Sequence, residues 1–155
     1  MARISWDYAD PSTARSAAIA DAVAYWNAKR ADSEMPDKDR IDPLEMRRYL
    51  AKVLLIDLQQ DGRFFYRLSG TEIRDLNGAD LTGKYADAPT LGASLDMFIE
   101  SYRRTVATRQ PVFFHAQMWW QDRGYATFEQ VNLPLTEDGF SACRLLCVVD
   151  AKLLP

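Results

Sequence analysis

The sequence contains little of what most metal and catalytic centres are built from. It has 2 cysteines and 1 histidine in 155 residues, too few for a Cys/His zinc site with four such ligands. Cys143 and Cys147 lie in one predicted strand, too far apart to bridge each other, and are interpreted as small core residues. No glycine-rich phosphate loop follows a strand, and no serine stands in a glycine elbow. These absences predict a protein that is not an enzyme.

An excess of charge of one sign and a long apolar run are also lacking. The 19 basic and 22 acidic side chains give a net charge of -3, which argues against a nucleic-acid partner because phosphate binding needs a basic excess. No segment is apolar enough to act as an export signal or to span a membrane. We therefore expect a cytoplasmic protein that does not contact the membrane.

What is present is the composition of one folded domain, since hydrophobic residues make up 48% of the chain. Residues 1–10 show no clear period and are predicted to be a tail. Residues 11–52 are predicted to form two N-terminal helices, the first over residues 11–30 and the second over residues 42–52. The first has one apolar stripe, which would pack either on its own domain or on a second copy.

Residues 53–155 show two strands, a helical crossover and three more strands. The strands are predicted over residues 53–58, 63–68, 112–120, 125–135 and 140–151. Between them, a short helix follows Gly70, and a continuous apolar stripe predicts a long helix from Leu91 to Val106. The short turns in the last third make neighbouring strands antiparallel. This order predicts an α+β fold.

Short motifs recur in a fixed order along most of the chain. The motifs are Tyr25-Trp26, Met35-Pro36, Arg40-Ile41-Asp42-Pro43, Arg63-Phe64, Tyr66-Arg67-Leu68, Gly70-Thr71, Asp80-Leu81-Thr82-Gly83, Phe128-Glu129 and Leu133-Pro134-Leu135. With them the sequence resembles a bacterial PAS-like family that is common in alphaproteobacteria. The resemblance implies a five-stranded antiparallel sheet with a helical crossover over residues 53–155, preceded by the two N-terminal helices.

The resemblance also implies a pocket between the sheet and the crossover helices. Its predicted ligand-binding residues are Phe64, Tyr66, Leu68, Ile73, Phe98, Tyr102, Phe114 and Met118. The preferred function is a regulatory or sensory domain that binds a small apolar or aromatic molecule there. Because no output segment is recognised on the chain, the signal is expected to act in trans, through a signalling partner protein.

Two other functions stay open. The domain could be a protein-interaction or dimerisation module whose interior is filled by its own side chains. It could also be an enzyme on a cone-shaped fold of the ketosteroid-isomerase type. That fold would need an acid such as Asp57 or Glu129 facing a deep apolar pocket beside a tyrosine.

The resemblance argues against two known PAS cofactors. Haem-binding PAS domains generally carry their axial histidine on the long helix, whereas His115 falls in the following strand. Photoreceptors with covalent flavin carry a reactive cysteine ahead of the long helix, and both cysteines here come after it. We therefore expect neither haem, covalent flavin nor a metal, and leave a small metabolite as the ligand.

Trp119 and Trp120 are neighbours in a predicted strand and must point to opposite faces. One layer cannot bury both, so the N-terminal helix or a partner chain is expected to cover at least one of them. This motivates the prediction of a homodimer through the N-terminal helix.

Overall fold

In the computed structural model, which describes residues 2–120 and 124–154, the five predicted strands follow in the predicted order and a sixth strand precedes them. The described strands are β1 (Ala2–Ala9), β2 (Val53–Leu58), β3 (Phe64–Ser69), β4 (Val112–Trp120), β5 (Gly124–Thr136) and β6 (Ala142–Leu154). The α-helices of this part of the chain are α1 (Ala17–Arg30), α2 (Thr71–Asn77), α3 (Ala88–Leu91) and α4 (Leu95–Thr108). The α+β class is confirmed.

The strands form one antiparallel sheet in the order β1-β4-β5-β6-β2-β3. β2 and β3 make a hairpin at one edge, and the crossover through α2, α3 and α4 carries the chain over to β4. From there β4, β5 and β6 run back as a meander until β6 pairs with β2. The pairing of β6 with β2 therefore joins the hairpin and the meander into one sheet.

The predicted tail over residues 1–10 is wrong, and with it the prediction of five strands. Residues 2–9 form β1, which pairs with β4 from Ala2 opposite Trp120 to Ala9 opposite Phe113. Its side chains alternate, with Ile4, Trp6 and Tyr8 half-buried against the crossover side of the sheet and the intervening polar residues exposed. This period of two is that of a strand with one covered face.

Both faces of the sheet are covered at its centre, so β5 is buried without interruption from Gln130 to Thr136. On the first face, α1 and the segment after it pack on a cluster that includes Val131, Leu133 and Leu135. On the second, the crossover helices pack on what we call the crossover cluster. It contains Leu54, Ile56, Phe64, Tyr66, Ile73, Leu81, Met97, Tyr102, Phe114, Ala116, Met118, Phe128, Leu145, Cys147 and Val149.

Helix α1 is held on its own sheet, although it begins later than predicted. Asp10 caps only a 3₁₀ turn at Pro11–Thr13, and α1 itself begins at Ala17 with Ser16 as its N-cap. Glu129 of β5 accepts hydrogen bonds from the backbone N–H groups of Arg15 and Ser16, at 2.9 and 2.8 Å. Because its apolar stripe is buried within the chain, a homodimer through α1 stays a prediction and would have to use the exposed face of that helix.

The predicted second helix over residues 42–52 is wrong. Asp42 does cap a turn, but only the 3₁₀ turns Pro43–Met46 and Leu50–Lys52 form. Met46 and Tyr49 are both buried, and a spacing of three residues suits the tighter 3₁₀ turn, in which positions i and i+3 are aligned. The segment thus reaches β2 through two short turns.

The long helix predicted from Leu91 to Val106 is interrupted. Helix α3 ends at Leu91, Gly92 has a φ of 57°, and α4 begins only at Leu95. A left-handed residue cannot continue an α-helix, and glycine adopts that conformation at little cost. The long helix of the crossover is therefore α4 alone, and α3 is a separate short helix before it.

Candidate functional site

A small cavity of about 40 Å³ lies in the crossover cluster, between the sheet and the helices α2, α3 and α4. Its walls are aliphatic and aromatic with four polar side chains, and no described lining residue is charged. The lining residues are Leu54, Tyr66, Ile73, Leu76, Asn77, Leu81, Leu91, Phe98, Tyr102, Met118, Ala126, Phe128, Gln130 and Val149. A cavity of this kind needs about 10–15 Å³ for each water, so this one has room for about three.

Most of the eight predicted pocket residues are brought together around this cavity. Five of them line it, namely Tyr66, Ile73, Phe98, Tyr102 and Met118. Phe64 and Phe114 belong to the same cluster and pack behind the lining, with the Phe64 ring 5.3 Å from that of Tyr102 and the Phe114 ring 6.3 Å from that of Phe98. Whether any of them contacts a ligand stays a prediction.

Leu68 is the exception, because it packs on the α1 face of the sheet. The pairing of β2 with β3 shifts between Leu55 and Ile56, so that Ile56 lies opposite Tyr66 while Leu55 lies opposite Leu68. The extra residue, Arg67, makes a β-bulge, which breaks the alternation of side chains along the strand. Leu68, predicted as a pocket residue, therefore lies on the opposite face of the sheet from Phe64 and Tyr66.

Aromatic rings form a connected wall beside the cavity. The Phe98 ring is stacked between those of Tyr102 and Phe128, with both centroids 6.1 Å away. Outside them, Trp6 and Tyr8 of β1 contact the Phe114 ring edge-on, at 5.8 and 6.4 Å. Such edge and offset contacts stabilise beyond the area they bury. These contacts therefore stabilise the packing of the rings on this side of the cavity.

Two buried amides of β5 lie under α4 and were not predicted. Gln130 and Asn132 are both fully buried. Gln130 Nε2 donates to Asn132 Oδ1 at 2.9 Å, and Asn132 Nδ2 donates to Ser101 Oγ at 3.1 Å. The only sequence signal is that Gln130 and Asn132 continue the strand face on which Ala126 and Phe128 lie. Two amides on an apolar face indicate a buried polar chain.

The hydroxyl groups of Tyr66 and Tyr102 hydrogen-bond to each other at 3.0 Å beside these amides. Burial raises the pKa of Tyr66 far above its ordinary value, and the hydrogen bond with Tyr102 only partly opposes this. Burial likewise raises the pKa of Tyr102, to which the neighbouring Tyr66 adds and which the Gln130 side chain opposes. Both tyrosines are therefore neutral hydrogen-bonding groups at physiological pH.

These shifts predict a loss of stability in alkali. Above pH 10, the ordinary tyrosine pKa, the unfolded chain releases protons that the folded chain keeps, so stability that is complete below pH 10 falls as the pH rises towards the folded pKa. Replacing Tyr66 by phenylalanine should reduce that slope by up to about 1.4 kcal/mol per pH unit. Urea unfolding of both proteins between pH 8 and 11 measures it, and equal slopes would contradict it.

The helices that close the cavity from outside are weakly anchored. Among the described residues of α2 only Ile73 is buried, and among those of α3 none is. Segments with few buried contacts open at a lower free energy than the rest of a fold. The side of the cavity formed by α2 and α3 is therefore the one that can yield.

A protein-family model described as PAS domain matches residues 14–149 of the chain. The chain belongs to the PAS family. No match to a curated protein was found. Membership indicates a sensory or regulatory module and fits the antiparallel sheet and crossover described above. The matched segment includes α1, so this helix belongs to the PAS domain and does not merely precede it.

The acids that a cone-fold enzyme would need lie outside the cavity of this PAS domain. Asp57 binds two arginines, with its carboxylate oxygens 2.7 Å from Arg67 Nε and 2.6 Å from Arg144 Nε. Glu129 points to the opposite face of the sheet, where it caps the start of α1. Neither acid faces a tyrosine in an apolar pocket, which removes the observation that the cone-fold interpretation depends on.

The remaining candidate groups of the PAS domain are also separate from the cavity. His115 is exposed on the α1 side of β4, and Cys147 is a free thiol in the crossover cluster whose pKa is raised by burial. Within residues 2–120 and 124–154, no three His, Cys, Asp or Glu side chains lie together as a metal site would require. Nor does this part of the chain contain a helix with the length and apolarity needed to cross a membrane.

The tryptophan pair at the end of β4 is only partly described. Trp119 is 36% exposed, and the guanidinium of Arg3 lies 5.1 Å from its ring centre. The strand β1, and not the N-terminal helix, is thus what partly covers Trp119. The side chain of Trp120 lies outside the described residues, and the prediction made for it stays untested.

Proposed function

We propose that this PAS domain is a sensory or regulatory module that binds a small apolar or aromatic molecule between the sheet and α2, α3 and α4. The observation that carries the proposal is the cavity itself, which is walled by aromatic rings, has no charged lining residue and is closed by two weakly anchored helices. Ligand sites in proteins are concave and mostly apolar with a few polar groups that fix orientation.

The size of the cavity determines how binding would act. A cavity of about 40 Å³ is far smaller than the roughly 300–1,000 Å³ of drug-sized ligand sites. A ring-sized molecule therefore enters only as α2 and α3 move outward, while the stacked rings and the sheet stay in place. Binding would favour the displaced arrangement of these helices, and that change is the signal we propose a partner protein detects in trans.

Filling the cavity should weaken binding. Ala126 lines it and is 1% exposed, so Ala126→Val places two further carbons in the space. We expect neutral aromatics such as phenol, indole and toluene to perturb the NMR signals of Ile73, Leu81 and Met118 in the wild type. In Ala126→Val their Kd should rise about tenfold or more, the equivalent of about 1.4 kcal/mol.

The matched control is Ala151→Val, the same substitution at a half-buried position of β6 outside the cavity lining. It should bind like the wild type. Shifts that appear elsewhere on the surface, or equal affinities in both variants, would mean that the aromatics do not occupy the cavity.

A second candidate function is a protein-interaction module whose interior is filled by its own side chains. The observation that favours it is the same small volume, which holds about three waters. It predicts that no neutral aromatic binds to the wild type. Saturable binding to the wild type at the cavity residues would exclude it.

We propose further that the domain has no catalytic activity of its own and works in the cytoplasm. The acids considered for catalysis serve structural ion pairs and a helix cap, and Cys143 and Cys147 are free thiols, as suits a reducing compartment. A homodimer through the exposed face of α1 belongs to the same proposal. Light scattering at high concentration tests it.

A further inference from the structure

The side chains of Ser101, Asn132 and Gln130 form a series of hydrogen bonds under α4, and Ser101 determines which group donates in each of them. Ser101 Oγ donates its single proton to the backbone carbonyl of Phe98 at 2.8 Å, so towards Asn132 it can only accept. Asn132 must therefore present its Nδ2 to Ser101, at 3.1 Å, which leaves its Oδ1 for Gln130. Each amide orientation follows from the one before, because an amide has one donor end and one acceptor end.

The last group in this series of hydrogen bonds, Gln130 Oε1, is an acceptor without a partner among the described residues. Gln130 has to present Nε2 to Asn132, at 2.9 Å, and its Oε1 is then turned away from the chain. Gln130 is fully buried and lines the cavity, and Oε1 has no hydrogen-bond partner among the described residues. A buried acceptor left in this state is costly, and such groups in native proteins call for a specific explanation.

The rest of the lining restricts which molecule could pair with this oxygen. Besides Gln130, the polar side chains are Tyr66, Asn77 and Tyr102, and the described lining carries no Lys, Arg or His. A carboxylate or phosphate buried there would have no counter-ion, which is strongly unfavourable. A molecule with only acceptors would leave Gln130 Oε1 without a partner. What fits is a neutral molecule with an apolar or aromatic body and a hydrogen-bond donor.

We infer that Gln130 Oε1 is the recognition point of the cavity and selects neutral ligands that carry a hydroxyl or N–H donor over apolar molecules of the same shape. This inference rests on the proposed ligand-binding function and specifies its ligand class. The polar chain holds Gln130 in one orientation, so the acceptor is already in place when the ligand arrives. The entropic cost of ordering it is therefore met by the fold.

Phenol and toluene form the test pair, because both are substituted benzene rings of nearly the same size and shape. Only phenol has a hydrogen-bond donor. Toluene is the more apolar, so burial alone favours toluene. We expect wild-type protein to bind phenol more tightly, with a Kd at least threefold lower by calorimetry or NMR titration. In Gln130→Met, which keeps the bulk of the side chain without the acceptor, the ratio of the two Kd values should shift about tenfold towards toluene.

The outcomes separate this inference from the function on which it rests. If both compounds bind in the cavity and their Kd ratio is the same in wild type and Gln130→Met, the inference is wrong and the proposed function stands. If neither compound binds the wild type at the cavity residues, both are overturned. Should Gln130→Met fail to fold, the wild type decides, since a preference for toluene there contradicts a recognising acceptor.

Discussion

Replacing Gly70 by alanine is expected to destabilise this PAS domain by about 3 kcal/mol or more, since the added methyl group has nowhere to go. Gly70 precedes α2, and a Cβ built on it would overlap the backbone carbonyl of Ala51. A side chain could rotate away from such a contact, but a backbone carbonyl cannot. The N–H of Gly70 also donates to Val53 O at 2.8 Å, which ties the turn to the start of β2. Urea unfolding followed by tryptophan fluorescence measures the loss.

Gly83 provides the matched control, because its glycine is needed for a different reason. Its φ is 82° and a Cβ there would meet nothing within 4 Å, so Gly83→Ala costs only the left-handed conformation, about 1 kcal/mol. Gly70 has an ordinary φ of -64°, and any residue could adopt it if there were room. Equal losses in the two variants would contradict the close approach at Ala51.

Removing the indole of Trp26 is expected to cost about 3–5 kcal/mol, as for other buried aromatic rings replaced by alanine. Trp26 is 2% exposed, and its Nε1 donates to the carbonyl of Pro134 in β5 at 2.8 Å. It is the largest of the three fully buried residues that fasten α1 to the sheet. We therefore expect Trp26→Ala to lower the midpoint of the whole unfolding transition, because α1 unfolds together with the sheet.

Two substitutions separate the parts of this effect. Trp26→Phe keeps a buried ring and loses the hydrogen bond, so a smaller loss of about 1–2 kcal/mol is expected. Trp119→Ala makes the same truncation at a ring that is 36% exposed and should cost less than about 1 kcal/mol. The prediction would be contradicted if Trp26→Ala showed a separate early transition and an unchanged main transition, because α1 would then unfold independently of the sheet.

The order of the elements after residue 53 was predictable because each is bounded by a local signal. Gly78 ends α2 in the left-handed conformation, and the turn after β5 falls where Asp138 and Gly139 follow each other. The strand β1 was missed, although Ile4, Trp6 and Tyr8 alternate with polar residues. A strand at the edge has one half-buried face, so its signal is alternation and not an apolar run.

The errors fall where one residue changes the direction of the chain. Gly92 divides the predicted long helix although the apolar period continues across it, since periodicity records which residues are buried and not whether the backbone is continuous. The bulge at Arg67 moves Leu68 to the other face of the sheet. A single extra residue reverses an alternating pattern, and nothing in the composition of β3 indicates where it falls.

The polar part of the cavity was not predictable, for a related reason. Gln130 and Asn132 alternate with the apolar residues Val131 and Leu133 along β5. In such an alternating pattern the polar residues are ordinarily placed on the solvent face of the strand. Both faces of β5 are covered here, by α1 on one side and α4 on the other. Burial of the amides is therefore a consequence of tertiary packing, and the direction of their hydrogen bonds depends on Ser101, some thirty residues away in sequence.

The strand β1 lies outside the segment 14–149 that matches the PAS family, yet it is part of the sheet. A fragment trimmed to the family boundary would lose Trp6 and Tyr8 from above Phe114 and leave the edge of β4 that faces β1 unpaired, while the other edge stays paired with β5. Unpaired edge strands bind the edges of other molecules and so promote aggregation. Residues 2–9 thus cover the edge of β4 with a strand whose exposed face is polar, and we expect a fragment that lacks them to aggregate more readily than the whole chain.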